Sequence, residues 1–133
     1  MGGAPSHILA EPPLLLGGSD VLTDTSFFTD AKVTAVISVT DKQPPPEVVA
    51  AAGLRVLQMD VADSPDADLA PHFPAAAAFI NAARLVGEGV YVHCTAGISR
   101  STTVAAGYLI LALNLSDREA LGHIQRCRDT ACR

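Results

Sequence analysis

Short apolar runs are spaced along the chain, each bounded by glycine, proline or polar residues. Such runs predict strands, and five of them lie at residues 7–10, 14–16, 33–39, 54–59 and 90–93. The run at residues 33–39 is β-branched and almost continuously apolar, which is typical of a strand covered on both faces. Pro12 and Pro13 separate the first two runs, and this predicts a turn between them.

The segments between these runs have the periodicity and the end signals of helices. One helix is predicted from a cap at Ser19 or Asp20 through Phe28, and a second over residues 47–52. A third is predicted from a start between Asp68 and Pro74 to Gly87. The last two are predicted over residues 102–113 and from Ser116 toward Arg128. Residues 102–113 are apolar on nearly every face, which indicates a buried helix. Ser116 and Glu119 have the spacing of a capping box.

Strands that alternate with helices predict an α/β fold. With 133 residues, of which 49% are hydrophobic, the chain can bury one core, so residues 1–133 are expected to form a single domain. We expect a central, mostly parallel sheet of four to five strands flanked by helices. Functional loops of such sheets lie at the carboxyl ends of central strands, and residues 90–93 lead directly into the most unusual loop of this chain.

That loop begins at Cys94 and closes on Arg100. Its five inner residues are small or uncharged, namely Thr95, Ala96, Gly97, Ile98 and Ser99. Such a loop can curl so that its backbone N–H groups converge at a helix N-terminus, which makes an anion site. The Arg100 guanidinium matches two phosphate oxygens, and the same positive field should lower the pKa of Cys94. A thiolate beneath a bound phosphate is a nucleophile aimed at phosphorus.

The segment from His93 to Ser101 resembles the signature of cysteine-dependent protein phosphatases. Its Ser-Arg-Ser ending is more similar to the dual-specificity branch than to other tyrosine phosphatases, which usually have Gly-Arg-Thr-Gly there. The resemblance implies the cysteine-phosphatase fold and a small, atypical member of that branch, with residues 1–133 as its catalytic domain. Relatives continue beyond the position of Arg128 into a turn and a final helix, so a chain that ends at Arg133 is expected to lack that helix.

Each residue of the motif then has a chemical task. Cys94 attacks phosphorus and forms a phosphocysteine, which divides one difficult displacement into two easier ones. Arg100 and the backbone amides of residues 95–100 hold the phosphate oxygens. Ser101 donates to the cysteine sulfur as it leaves in the second step, and His93 orders the loop. Gly97 supplies a backbone angle that a side chain would resist.

The leaving oxygen also needs a proton donor, and an acidic loop lies upstream of the cysteine. Its candidates are Asp60, Asp63, Asp66 and Asp68. In dual-specificity phosphatases the acid is often followed by a small residue, and Asp63 precedes Ser64. The resemblance therefore favours Asp63 as the general acid, with Asp60 as the alternative.

Charge and cysteine content limit the partners. A net charge of −5 and a pI near 5.1 argue against nucleic acid and against anionic membranes, since both require clustered Lys and Arg. Three cysteines without disulfide-like spacing indicate a reducing compartment, so the cytoplasm is expected, with the nucleus as a second location. Gly2 matches a loose N-myristoylation pattern. We expect no cofactor, no metal, no stable membrane insertion and a monomer.

The leading hypothesis is a phosphoprotein phosphatase that acts on phosphotyrosine and on phosphoserine or phosphothreonine. One alternative is a phosphatase of phosphoinositides, RNA 5′ ends or glycans, which the plain, uncharged loop residues disfavour. The other is a truncated, non-catalytic isoform that binds phosphate or acts as a scaffold. The presence of both Cys94 and Arg100 argues against that reading.

Overall fold

The computed structural model describes residues 6–39, 42–59, 70–94 and 99–129. The strands in these ranges are β1 (Ser6–Leu9), β2 (Leu14–Gly17), β3 (Val33–Ser38), β4 (Arg55–Gln58) and β5 (Gly89–His93). The α-helices are α1 (Thr25–Ala31), α2 (Pro46–Ala52), α3 (Phe73–Leu85), α4 (Ser99–Leu113) and α5 (Asp117–Asp129). A short 3-10 turn, Ala70–His72, leads into α3.

The strands form one mixed sheet in the order β1-β2-β5-β3-β4. β5 lies in the middle and is parallel to both neighbours, β4 is parallel to β3, and β1 alone is antiparallel to its neighbour. The predicted α/β fold with a mostly parallel sheet is therefore confirmed. All five residues of β5 are buried, because strands flank it on both sides and helices cover both faces.

Two hydrophobic cores lie on opposite faces of the sheet. The larger core packs α3, α4 and α5 against one face and includes Ile80, Leu109 and Ile124. The smaller core lies under α1 and α2 and includes Phe28 and Tyr91. Because side chains alternate along a strand, Val92 and Cys94 belong to the larger core whereas Tyr91 belongs to the smaller one. Residues at the end of β5 therefore face opposite layers.

The predicted cap of the first helix is wrong. α1 begins at Thr25, and the side chain of Asp24 accepts a hydrogen bond from Phe27 N at 3.3 Å. Ser19 is held elsewhere, with its Oγ 3.4 Å from Nδ1 of His93. A contact distant in sequence thus overrides the local preference of Ser19 for a helix start.

The helix predicted over residues 102–113 begins earlier, at Ser99, and is buried in its middle, over residues 104–109. Its last turn differs from the prediction, because Leu111 is 54% exposed and Leu113 is 40% exposed. Asn114 ends the helix in a left-handed conformation, with φ of 59°. Within the described residues, no helix has both the length and the apolar character needed to cross a bilayer.

The capping box predicted for the last helix is confirmed. Ser116 N donates to Glu119 Oε1 at 2.8 Å, and Glu119 N donates to Ser116 Oγ at 3.0 Å. Further along α5, His123 Nε2 lies 2.7 Å from the carbonyl oxygen of Ile8. The helix is thereby joined to β1 at the edge of the sheet.

Candidate active site

Cys94 directly follows β5, where the carboxyl ends of β2, β5 and β3 lie side by side. Its side chain is only 3% exposed and belongs to the larger core. The chain is described again from Ser99, the first residue of α4, so that Arg100 and Ser101 occupy the first turn of that helix. The order of a parallel strand, a loop and a helix N-terminus is the arrangement in which backbone N–H groups favour an anion.

Ser101 and Cys94 are in contact. The Oγ atom of Ser101 lies 3.5 Å from the Sγ atom of Cys94, and both side chains are buried. A hydroxyl group can donate a hydrogen bond to a thiolate, and such charge-assisted bonds are stronger than neutral ones. Arg100, half-buried, precedes Ser101 in the same turn. In the thiol form Sγ donates to Oγ, and once the sulfur is ionised the Ser101 hydroxyl group becomes its hydrogen-bond donor.

The imidazole of His93 is buried between two hydroxyl groups. Its Nε2 lies 2.7 Å from Oγ of Ser38, and its Nδ1 lies 3.4 Å from Oγ of Ser19. The ring also stacks on Tyr91, with centroids 6.0 Å apart and planes 15° from parallel. Burial lowers the pKa of His93 to about 4. The ring is therefore neutral near pH 7.

Backbone hydrogen bonds join the strand ends around Cys94. Val39 N donates to the carbonyl oxygen of His93 at 3.0 Å, and Met59 N donates to the carbonyl oxygen of Ser38 at 2.9 Å. On the other side of β5, Gly17 is the register partner of His93. The peptide that leads into the loop is thus held by both neighbouring strands.

Several predicted site residues lie outside the described residues. These are Thr95, Ala96, Gly97 and Ile98 of the loop and the acid candidates Asp60 and Asp63. The structure describes Cys94, Arg100, Ser101 and His93, and it brings Ser101 to the sulfur of Cys94. Within the described ranges, no three His, Cys, Asp or Glu side chains are grouped closely enough to hold a metal ion.

Ser19 and Ser38 belong to this site but were missed in the sequence. Ser38 did carry a signal, because it is a polar residue in an otherwise almost continuously apolar strand. Buried polar groups in native proteins nearly always have a hydrogen-bond partner, so Ser38 required one. For Ser19 the sequence carried a helix-cap signal that pointed to a different role.

The family model of the dual specificity phosphatase catalytic domain matches residues 14–133. The chain belongs to the dual specificity phosphatase family. It is 34% identical over 131 residues to human dual specificity protein phosphatase 22, an alignment that covers 98% of this chain and 68% of the relative. Across the curated relatives that it matches, the chain spans about a third to two thirds of their length.

Solved structures of the family have the same fold. The crystal structure of human DUSP28 gives a TM-score of 0.84 at 28% identity, covering 96% of this chain and 82% of that one. The structure of PTPMT1 in complex with PI(5)P gives a TM-score of 0.80 at 26% identity, covering 96% of this chain and 85% of that one. The predicted resemblance to the dual specificity phosphatase family is therefore confirmed.

Proposed function

We propose that this chain hydrolyses phosphate monoesters through attack of the Cys94 thiolate on phosphorus. The observation that carries the proposal is the contact of 3.5 Å between Sγ of Cys94 and Oγ of Ser101. It lies between the end of a central parallel strand and the first turn of α4, in a chain of the dual specificity phosphatase family. A buried sulfur with a hydroxyl donor beside a helix N-terminus is suited to carry negative charge.

The reaction proceeds in two displacements. In the first, the sulfur of Cys94 bonds to phosphorus and the P–O bond to the leaving group breaks, while Asp63 gives that oxygen a proton. In the second, water attacks the phosphocysteine and loses its proton to the Asp63 carboxylate. Inorganic phosphate departs, and the S–P bond electrons return to the sulfur, to which Ser101 donates a hydrogen bond. Arg100 and the loop amides stabilise the charge on the phosphoryl oxygens throughout.

Phosphorylated proteins are the substrates that the residues favour, with phosphotyrosine and phosphoserine or phosphothreonine as the target groups. Between Cys94 and Arg100 the chain carries no charged side chain, and the net charge of the protein is −5. A polyanionic ligand would therefore meet only one cation within the motif. Residues 1–133 form the catalytic unit of this proposal, and the expected site of action is the reducing cytoplasm, where Cys94 stays a thiol or thiolate.

Phosphoinositides are the second candidate substrates. They are considered because the structure of PTPMT1, which shares this fold, was solved in complex with PI(5)P. The neutral loop and the acidic net charge make this alternative weaker than the first. Parallel assays on tyrosine and threonine phosphopeptides and on phosphoinositide micelles separate the two, since faster turnover of the lipid would reverse the order proposed here.

The central experiment measures hydrolysis of an aryl phosphate by the wild type, Cys94→Ser and Asp63→Asn, with a thermal melt of each. Cys94→Ser should abolish turnover, whereas Cys127→Ser, at a second buried cysteine of the described residues, should retain it. Asp63→Asn should slow cleavage of a poor leaving group by roughly a hundred-fold or more. The absence of turnover from a cooperatively folded wild type would refute the proposal, and activity in Cys94→Ser would refute the mechanism. Loss in Asp60→Asn but not in Asp63→Asn would move the acid to Asp60.

A further inference from the structure

His93 connects the carboxyl ends of both strands that flank β5. Ser38 is the last residue of β3, and its Oγ is 2.7 Å from Nε2 of the imidazole. Ser19 follows β2 by two residues, and its Oγ is 3.4 Å from Nδ1. A single side chain thus spans the middle of the sheet at the point where the chain turns into the Cys94 loop.

Both serines are needed to satisfy this ring. A neutral imidazole has one N–H donor and one acceptor nitrogen, and a hydroxyl group can take either part. His93 and Ser38 are fully buried, so a nitrogen that lost its hydroxyl partner would be left without water to replace it. The two hydroxyl groups together fix the rotation of the ring. Tyr91 supports the ring from one face by stacking.

The ring acts on Cys94 through geometry. Because His93 is neutral near pH 7, it supplies no positive charge to the sulfur. Its side chain lies against Tyr91, whereas Cys94 belongs to the opposite core. What the two residues share is the peptide between them, whose orientation sets where the sulfur lies relative to Ser101 and to α4.

We propose that Ser38 and Ser19 are positioning residues, which through the His93 ring hold Cys94 where Ser101 and the start of α4 stabilise its thiolate. The inference deepens the proposed function and rests on it for its biological meaning. Tyr91 stacks on the His93 ring, and the charge of Asp20 acts on Tyr91. Arg100 precedes Ser101 in the first turn of α4. The variants that follow change none of these three titratable or charged groups.

The test titrates the thiolate of Cys94 in the full chain. Ultraviolet absorbance is followed against pH for each variant and for the same variant carrying Cys94→Ser, so that the difference reports Cys94 alone. Ser38→Ala should raise the midpoint by about one pKa unit, which is a ten-fold loss of thiolate below the midpoint. Ser19→Ala should raise it in the same direction by less, because the hydrogen bond of Ser19 is longer.

Three further variants separate positioning from a general loss of stability. Ile37→Val, in the same strand, removes a buried methyl group and should lower the melting temperature while leaving the midpoint unchanged. Ser38→Thr keeps the hydroxyl group and should keep the wild-type midpoint. In a His93→Asn background, Ser38→Ala should produce no additional shift, because the serine acts through the ring.

Unchanged midpoints in Ser38→Ala and Ser19→Ala would overturn the proposal, as would an equal shift in Ile37→Val. If Ser38→Ala does not fold, Ser19→Ala decides the matter, since its side chain is half-exposed and tolerates the change. The readout does not depend on turnover. Failure of the proposed function would therefore show as a wild type that hydrolyses nothing, although the Cys94 midpoint still shifts in the serine variants. Failure of the positioning role would show as serine variants that keep the wild-type midpoint.

Discussion

The hydroxyl oxygen of Tyr91 occupies the space in which a side chain on Gly17 would begin. A Cβ atom on Gly17 would lie 2.5 Å from that oxygen and 3.3 Å from two ring carbons. The hydroxyl group donates to the carbonyl oxygen of Gly18 at 2.6 Å, and burial raises the pKa of Tyr91 far above its usual value. A glycine at position 17 thus allows a buried phenol to hold the segment that carries Ser19.

Gly17→Ala should destabilise the protein by roughly 1–3 kcal/mol, because the added methyl group forces the phenol out of its place. Urea unfolding of the variant measures the loss. In a Tyr91→Phe background the nearest atom is absent, so the same change should cost much less. An equal cost in both backgrounds would show that the Tyr91 hydroxyl is not the obstacle.

Ser101→Ala should lower kcat by roughly 10- to 100-fold, because the departing sulfur loses a hydrogen bond to a charged group. The second displacement then becomes slow, and phosphocysteine accumulates. Stopped-flow assays should show a burst of leaving group that the wild type lacks. Ser101→Thr keeps the hydroxyl group and serves as the control. If Ser101→Ala shows no burst, its first step is the slower one, and this would contradict the role of Ser101.

Stability should fall as the pH is lowered from about 6.5 to about 4. The pKa of His93 is near 4 in the folded protein but has its ordinary value of 6.5 in the unfolded chain. Between these values the unfolded state binds the extra proton, which favours unfolding by up to about 3 kcal/mol. Urea titrations at a series of pH values should show this loss in the wild type. The part of the loss that His93 causes should be missing in His93→Asn, and an identical pH dependence in both would count against a buried neutral ring.

Ser116→Ala should destabilise the protein by about 1 kcal/mol, since Glu119 N loses its cap. The hydrogen bond from the backbone N–H of Ser116 lowers the pKa of Glu119, and the Ser116 side chain lowers it further by a smaller amount. Protonation of Glu119 at low pH should therefore also weaken this end of the helix. Thermal melts measure the change. Ser116→Asp retains a capping oxygen and should melt close to the wild type, whereas a melt as low as that of Ser116→Ala would argue against the cap.

The strands and most helices could be predicted because their signals are local. Residues 33–39 carry the near-continuous apolar run that a covered strand requires, and Asn114 and the pair Ser116 and Glu119 mark helix ends by their own chemistry. The residues of the motif from His93 to Ser101 are contiguous in the sequence, so this part of the site could be predicted as well. Its Cys94–Ser101 contact follows from a strand, a loop and a helix that adjoin in the sequence.

What could not be predicted depends on contacts between distant residues. Ser19 has the chemistry of a helix cap, but 74 residues separate it from the imidazole it approaches. Ser38 and His93 meet only because β3 pairs with β5, and hydrophobic periodicity does not determine which strands become neighbours. The exposed last turn of α4 has the same origin, since apolar composition indicates burial but not which elements will cover the helix.

The bond between His123 and Ile8 also bears on the order in which the protein folds. Its partners are 115 residues apart, so it cannot form until residue 123 has left the ribosome. Until then, the edge strand β1 lacks the helix that packs beside it, although α3 and α4 can already cover the middle of the same face. Contacts of such long sequence separation slow folding, because a large loop must close before the contact is made. Completion of this domain is therefore expected to follow release of most of the chain, and not to accompany its synthesis strand by strand.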